Sequence, residues 1–304
     1  MRISINVTDQ SWPEQTRPER SRPERSRPTA LPTALADVAR RAEDAGVDTL
    51  WVPDHLVQAD PTLPPEHDDQ LEAYTTLGYL AARTSRIRLG TMVSAATFRA
   101  PALLVKAVTT LDVLSGGRAW FGVGAGHEAR EAADMGLDLP GTRARLDRLE
   151  DVLRLARQMW AGDESPFTGS GGLRLERPRC RPAPATPGGP PILVGGAGER
   201  RTLRLVAEHA DACNVFDLPD DGVTVRHKLA VLAEHCAAVG RDVTAIDRTL
   251  SARLQPGTTA DDLAAKAETA AGWGVTHLVL VTPQPWDDVA VTCVAGALRQ
   301  VGDA

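Results

Sequence analysis

The reading of this chain turns on LSGGRAWFGVGAGHEARE, Leu114 to Glu131. Ser115-Gly116-Gly117 stops an apolar-periodic helix, and Arg118 to Val123 is a short apolar run of the kind buried on both faces in parallel sheets. Gly122, Gly124 and Gly126 then remove side chains at alternate positions where the strand leaves the core. Bare backbone at a strand's carboxyl end lets a flat ring or a phosphate approach main-chain N–H groups that a Cβ would shield. A tight strand-to-helix packing turn would call for the same glycines, so the rest of the chain has to decide.

Upstream, Ile3–Val7, Thr49–Val52 and Ile87–Val93 read as strands, each followed by a helix with one apolar face: Leu35 to Ala45 capped by Gly46, Leu71 to Ala82, and a helix opening near Pro101. Downstream of Glu131 a helix carries Leu146, Leu149, Leu153, Ala156 and Trp160. The stretch 162–191 then breaks the rhythm with prolines and glycines; it is predicted to be an insertion over the mouth of the fold. Ile192–Val194 resumes the pattern and ends in Gly195-Gly196-Ala197-Gly198, a second glycine-paved strand end. It opens on a helix start flanked by Arg200 and Arg201, where free N–H groups and the helix dipole favour an anion. Strands Ala212–Phe216, Arg248–Leu254 and His277–Val281 with their helices bring the total to eight of each. One continuous βα series of this length closes as a (β/α)8 TIM barrel, with the insertion between strand 4 and strand 5. A doubly wound sheet is the alternative, but its glycine fingerprint would follow the first strand, whereas here the glycines follow the fourth and fifth.

The 304 residues fit a single barrel domain spanning 1–304. A net charge of −6 argues against nucleic acid or an anionic membrane as partner. Cys180, Cys213, Cys236 and Cys293 form no CxxC pair, which suits a reducing cytosol, and no apolar run approaches a membrane span, so a cytoplasmic protein is expected. Residues 16–28 repeat TRPER and SRPER, a low-complexity loop with no means of packing a core.

At the end of the second strand stand Pro53-Asp54-His55, where barrels of this type place catalytic groups. An imidazole can pass a proton near neutral pH, and the neighbouring carboxylate can accept hydrogen bonds from a cofactor's polar edge. His55, His67, Asp68 and Asp69 have no metal-cage spacing, and no metal is expected.

Taken together, AGVDTLWVPDH (Ala45–His55), IRLGT (Ile87–Thr91), LSGGR (Leu114–Arg118), GVGAG (Gly122–Gly126) with Glu131, and PILVGG (Pro191–Gly196) followed by TLRLVA (Thr202–Ala207) resemble the luciferase-like flavin and deazaflavin oxidoreductases. The resemblance covers nearly the whole chain. It implies a cofactor ring in the carboxyl-end mouth, lying against a bulge with a non-prolyl cis peptide; Met92-Val93 occupies that place, with Ser94 beside it. It also implies cofactor contacts from Gly124, Ala125, Gly126 and His127, and phosphate contacts from Gly195, Gly196, Gly198 and Glu199. Asp54 matches a ring-binding residue and His55 the residue expected to carry the chemistry. The position after the last glycine, Glu in the sugar-phosphate dehydrogenases of that family, is His127 here. The expected activity is a coenzyme F420-dependent oxidoreductase exchanging a hydride with a small organic substrate, in a homodimer. A monooxygenase using reduced FMN, or a non-catalytic flavin-binding barrel, would also suit the pattern.

Overall fold

The computed structural model of the protein describes residues 1–12 and 30–302; the repeat loop at 16–28 lies outside them. Strands β1 (Arg2–Asn6), β2 (Thr49–Val52), β3 (Arg88–Thr91), a two-residue β4 (Ser94–Ala95) and β5 (Ala119–Gly124) form the first half of a parallel sheet. A small hairpin, β6 (Phe167–Thr168) with β7 (Arg174–Leu175), is followed by β8 (Ile192–Gly195), β9 (Ala212–Phe216), β10 (Asp247–Arg253) and β11 (His277–Val281). The sheet runs β3-β2-β1-β11-β10-β9-β8-β5 and closes through a β3–β5 pairing at Leu89↔Ala119 and Gly90↔Trp120. It is the (β/α)8 barrel expected of the sequence.

Helices α1 (Ala30–Asp44), α2 (Ala73–Ala81), α3 (Pro101–Ser115), α4 (Ala129–Asp134), α5 (Thr142–Trp160), α6 (Thr202–His209), α7 (Val223–Ala238), α8 (Ala260–Gly272) and α9 (Asp288–Gly302) jacket the barrel. Their ends are written locally. Proline at the first turn starts α3, and Gly116 at φ 71° ends it, its N–H returning to the last carbonyls. Thr259 and Asp262 form a reciprocal capping box at α8. Where the apolar pattern after Glu131 suggests one helix, there are two, because Gly136 at φ 65° turns the chain after α4.

Inside the barrel, Trp51, Trp120, Leu193, Ala212 and Val279 form a plug. The two indoles sit 5.7 Å apart, and a Cβ at Gly90 would stand 2.7 Å from both side chains, so this glycine makes room for tryptophan. The plug fills the lower interior, and a cavity opens above it at the carboxyl ends of the strands. At the opposite, amino-terminal end, buried His277 bonds the Ser4 hydroxyl through Nε2, beneath a rim of Arg2, Asp48, Asp247 and Arg88.

The proline-rich stretch is not over the mouth, as the sequence suggested, and none of its residues lines the cavity there. It is strapped to the outside of α3 and α5. The buried Asp112 carboxylate accepts the Thr186 N–H and hydroxyl, each at 2.8 Å, Lys106 donates to the Arg181 carbonyl at 2.5 Å, and Gly189 lies flat against the Trp160 ring. A buried carboxylate on α3 needs partners, and Thr186 supplies both.

Candidate active site

The mouth holds a cavity of about 880 Å³. One side belongs to β3, β5 and β8: Met92, Val93, Gly124, Ala125, Gly126, His127, Gly195 and Gly196 all face it, as the sequence suggested. The Met92–Val93 peptide is cis. The Val93 side chain is wedged between the two glycine-paved strand ends, since a Cβ would lie 3.0 Å from its Cγ2 at Gly124 and 2.7 Å from it at Gly195. Deeper down, a Cβ at Gly122 would lie 1.7 Å from the Thr91 carbonyl oxygen. Gly122, Gly124 and Gly195 are therefore demanded by the protein's own packing. Gly196, at φ 101°, has nothing nearer than Thr202 Cγ2 at 3.7 Å and leaves its backbone open to the cavity.

Five expected site residues do not face that space. The Asp54 carboxylate is fully buried in a bidentate pair with Arg99, at 2.5 and 2.9 Å, so its lone pairs are committed within the protein. Arg99 in turn holds Glu72 at 2.6 Å and lies 5.0 Å from the Tyr74 ring centroid. Burial opposes the Arg99 charge, but hydrogen bonds and the Asp54 and Glu72 carboxylates outweigh it and push its pKa up. Ser94 is buried between the Thr91 hydroxyl at 3.0 Å and the Tyr74 phenol at 2.9 Å. Gly198 is exposed at the approach to α6. Glu199 ties that approach to α7 through Lys228 and through His227 at 3.1 Å, and these bonds lower its pKa. Of the two arginines at the helix start, Arg201 is held by Asp147 at 2.7 Å and Glu150 at 3.2 Å, leaving Arg200 exposed.

His55 stands one layer behind the cavity wall. Its Nδ1 is 2.7 Å from Glu131 Oε2, and the other Glu131 oxygen accepts the Leu56 N–H. The Glu131 side chain is completely buried, and with its carboxylate accepting, the His55 Nδ1–H is the donor of this bond, which fixes the orientation of the ring. The His127 ring meets the His55 ring edge-on, with centroids 6.1 Å apart, and it is His127 that faces the cavity.

The far wall belongs to β1, β9 and β10, where Asn6, Thr8, Asn214 and Ser251 face inward. Sequence reading missed these residues, as it missed Arg99. The signal for Asn214 was a polar residue inside an otherwise apolar strand; Ser251, in a strand already rich in polar residues, had no such mark, and Arg99 had none, since its partners are 27 and 45 residues away.

Comparison with known proteins agrees with this fold. The family described as luciferase-like monooxygenase matches residues 1–292. An F420-dependent glucose-6-phosphate dehydrogenase of Kineococcus radiotolerans is 32% identical over 228 residues, 73% of this chain and 64% of that protein. An F420-dependent hydroxymycolic acid dehydrogenase of Mycobacterium tuberculosis is 31% identical over 254 residues, 81% of this chain and again 64% of the relative. The matched region thus spans just under two thirds of these relatives' length. Among solved structures, an F420-dependent secondary alcohol dehydrogenase in complex with an F420-acetone adduct superposes with a TM-score of 0.79 at 17% identity over 99% of both chains. The monooxygenase RslO1 from Streptomyces bottropensis gives 0.76 at 18% identity, covering 100% of this chain and 98% of its own. The chain belongs to the luciferase-like monooxygenase family.

Proposed function

We propose that this protein is a coenzyme F420-dependent oxidoreductase acting on a small organic substrate in the barrel mouth. The observation that carries the reading is the cavity's asymmetry: a flat, glycine-paved side built on Met92 and Val93, with a histidine pair at its edge. Its residues fit a tricyclic ring bearing a phosphate arm, because Gly196 leaves open backbone beside the start of α6, where Thr202 also lines the cavity. When bound, the deazaflavin supplies a hydride donor or acceptor at its C5.

What the chain contributes is position and proton handling. Met92 and Val93 would support one face of the ring, and the strand-end glycines would keep side chains off its edge. His127 stands where it can give or take a proton from a group in the cavity. His55 backs it, and buried Glu131 fixes the orientation of the His55 ring. The names of the curated relatives support F420 over FMN.

Titrating cofactor-free protein with F420 and with FMN, following quenching of cofactor fluorescence, tests the choice. The reading expects saturable F420 binding and much weaker FMN binding. FMN binding alone, with oxygen consumed once the flavin is reduced, would make the protein a monooxygenase, and binding of either cofactor with no turnover across a broad substrate panel would leave a non-catalytic barrel.

A further inference from the structure

We propose that the substrate is an uncharged alcohol or carbonyl compound with an apolar body, its oxygen held by an amide and hydroxyl wall of Asn6, Thr8, Asn214 and Ser251. The proposal rests on the reading of the glycine side as the cofactor's place and names what lies opposite it. Four observations carry it.

The first is hydrogen-bond accounting. Asn6 is 5% exposed and lines the cavity, yet its enclosed Oδ1 has no partner among the described residues, and neither has the enclosed Thr8 hydroxyl. Buried polar atoms are nearly always satisfied, so two orphans on residues that line one cavity mark a wall whose hydrogen bonding a ligand, with a turn of the side chain, would complete. The second is Asn214, whose Oδ1 accepts from Thr249 at 2.8 Å and from Ser251 at 3.1 Å. Its Nδ2 makes no hydrogen bond among the described residues and is left to donate into the cavity. The wall therefore offers donors and acceptors together, whichever way the Asn6 amide is turned. A carbonyl needs only a donor and a hydroxyl needs both, so the same wall holds either member of an alcohol and carbonyl pair.

The third is charge. The carboxylates and fixed cations lining the cavity are Asp60, Arg253, Asp217 and Lys266, and they are paired with one another: Arg253 with Asp60 at 3.2 Å, Lys266 with Asp217 at 2.5 Å. Burial works against the Asp60 charge, but Thr62 hydrogen bonds and the Arg253 guanidinium outweigh it and hold Asp60 below the usual carboxylate range. A phosphorylated sugar would have to take a cation from its carboxylate, leaving that carboxylate exposed to the incoming phosphate. The fourth is the lip beside this wall, where Phe216 is 60% exposed and Leu218 45% exposed. Those surfaces suit an apolar body and gain nothing from a sugar.

Calorimetric titration with 1-phenylethanol, acetophenone and glucose 6-phosphate tests this, on cofactor-free and on F420-loaded protein. Wild type should bind the two neutral probes and not the phosphate. Asn6→Leu should weaken neutral-probe binding roughly tenfold, the loss of one hydrogen bond, with unchanged F420 quenching and a melting temperature no lower than wild type, because Asn6 Oδ1 serves nothing among the described residues. Asp60→Asn, which frees Arg253, should create measurable glucose 6-phosphate binding. Wild type preferring glucose 6-phosphate, or Asn6→Leu and Asn214→Leu both binding the neutral probes normally, would overturn the proposal. Failure of wild type to quench F420 would count against the cofactor reading instead, and the cofactor-free titrations would still decide the wall.

Discussion

At the scale of single residues, the structure divides a dipeptide that the sequence presents as one unit. His55 packs edge-on against His127, which stands between it and the cavity, and joins the proton-handling group we propose; Asp54 is clamped by Arg99 into the scaffold. His127→Ala should lower turnover about 10²–10⁴-fold while F420 affinity changes little. Glu131→Gln puts an amide where His55 donates, so turnover should fall about 10–100-fold and the pH profile of kcat/KM should move. A turnover loss with an unmoved profile would make Glu131 merely structural. Asp54→Ala leaves a largely buried guanidinium with Glu72 alone and should cost about 3 kcal/mol of stability, visible as a lowered Tm, whereas a cofactor ligand would show its loss mainly in F420 affinity.

At the scale of elements, the glycines separate into two classes that their spacing could not distinguish. Gly122→Ala drives a methyl into the Thr91 carbonyl and should cost 3 kcal/mol or more, roughly, expressed as loss of soluble protein. Gly196→Asp has open space, so it should fold with a backbone penalty of about 1–2 kcal/mol and lose cofactor binding by charge repulsion; normal F420 quenching by the folded variant would move the phosphate elsewhere. Most barrel strands were legible because they are short apolar runs ended by a polar or glycine signal, and β2 and β11 lie where the sequence placed them. Of the site, the glycine-paved side was legible for the same reason. The proline-rich stretch was not, since its position depends on Asp112 finding Thr186, a pairing 74 residues apart with no local signature. Nor was the Asp54–Arg99 clamp, for which nothing near either residue announces the other.

Taken as a whole, the molecule carries a pH liability at the end remote from its chemistry. Burial, with Arg2 and Arg88 nearby and only partly offset by Asp48 and Asp247, pushes His277 from 6.5 down to about 4. The folded state therefore holds this imidazole neutral, while the unfolded chain takes up a proton below pH 6.5. Stability is full above that point and falls as the pH drops toward 4. Carboxylates such as Glu43, whose pKa lies near 2 because backbone N–H groups from Ser85, Arg86 and Ile87 outweigh its burial, lose their contribution mainly at lower pH. Urea midpoints at pH 7 and pH 5 should thus differ far less in His277→Gln than in wild type. The Val93 wedge has a different kind of consequence, for the history and redesign of the mouth. One side chain meshes three strands there, so drift at positions 93, 124 or 195 has to be concerted, whereas Phe216, Leu218 and Arg253 can change singly. A lineage, or a laboratory library, can exchange its substrates by rewriting one half of the mouth while inheriting the other unaltered.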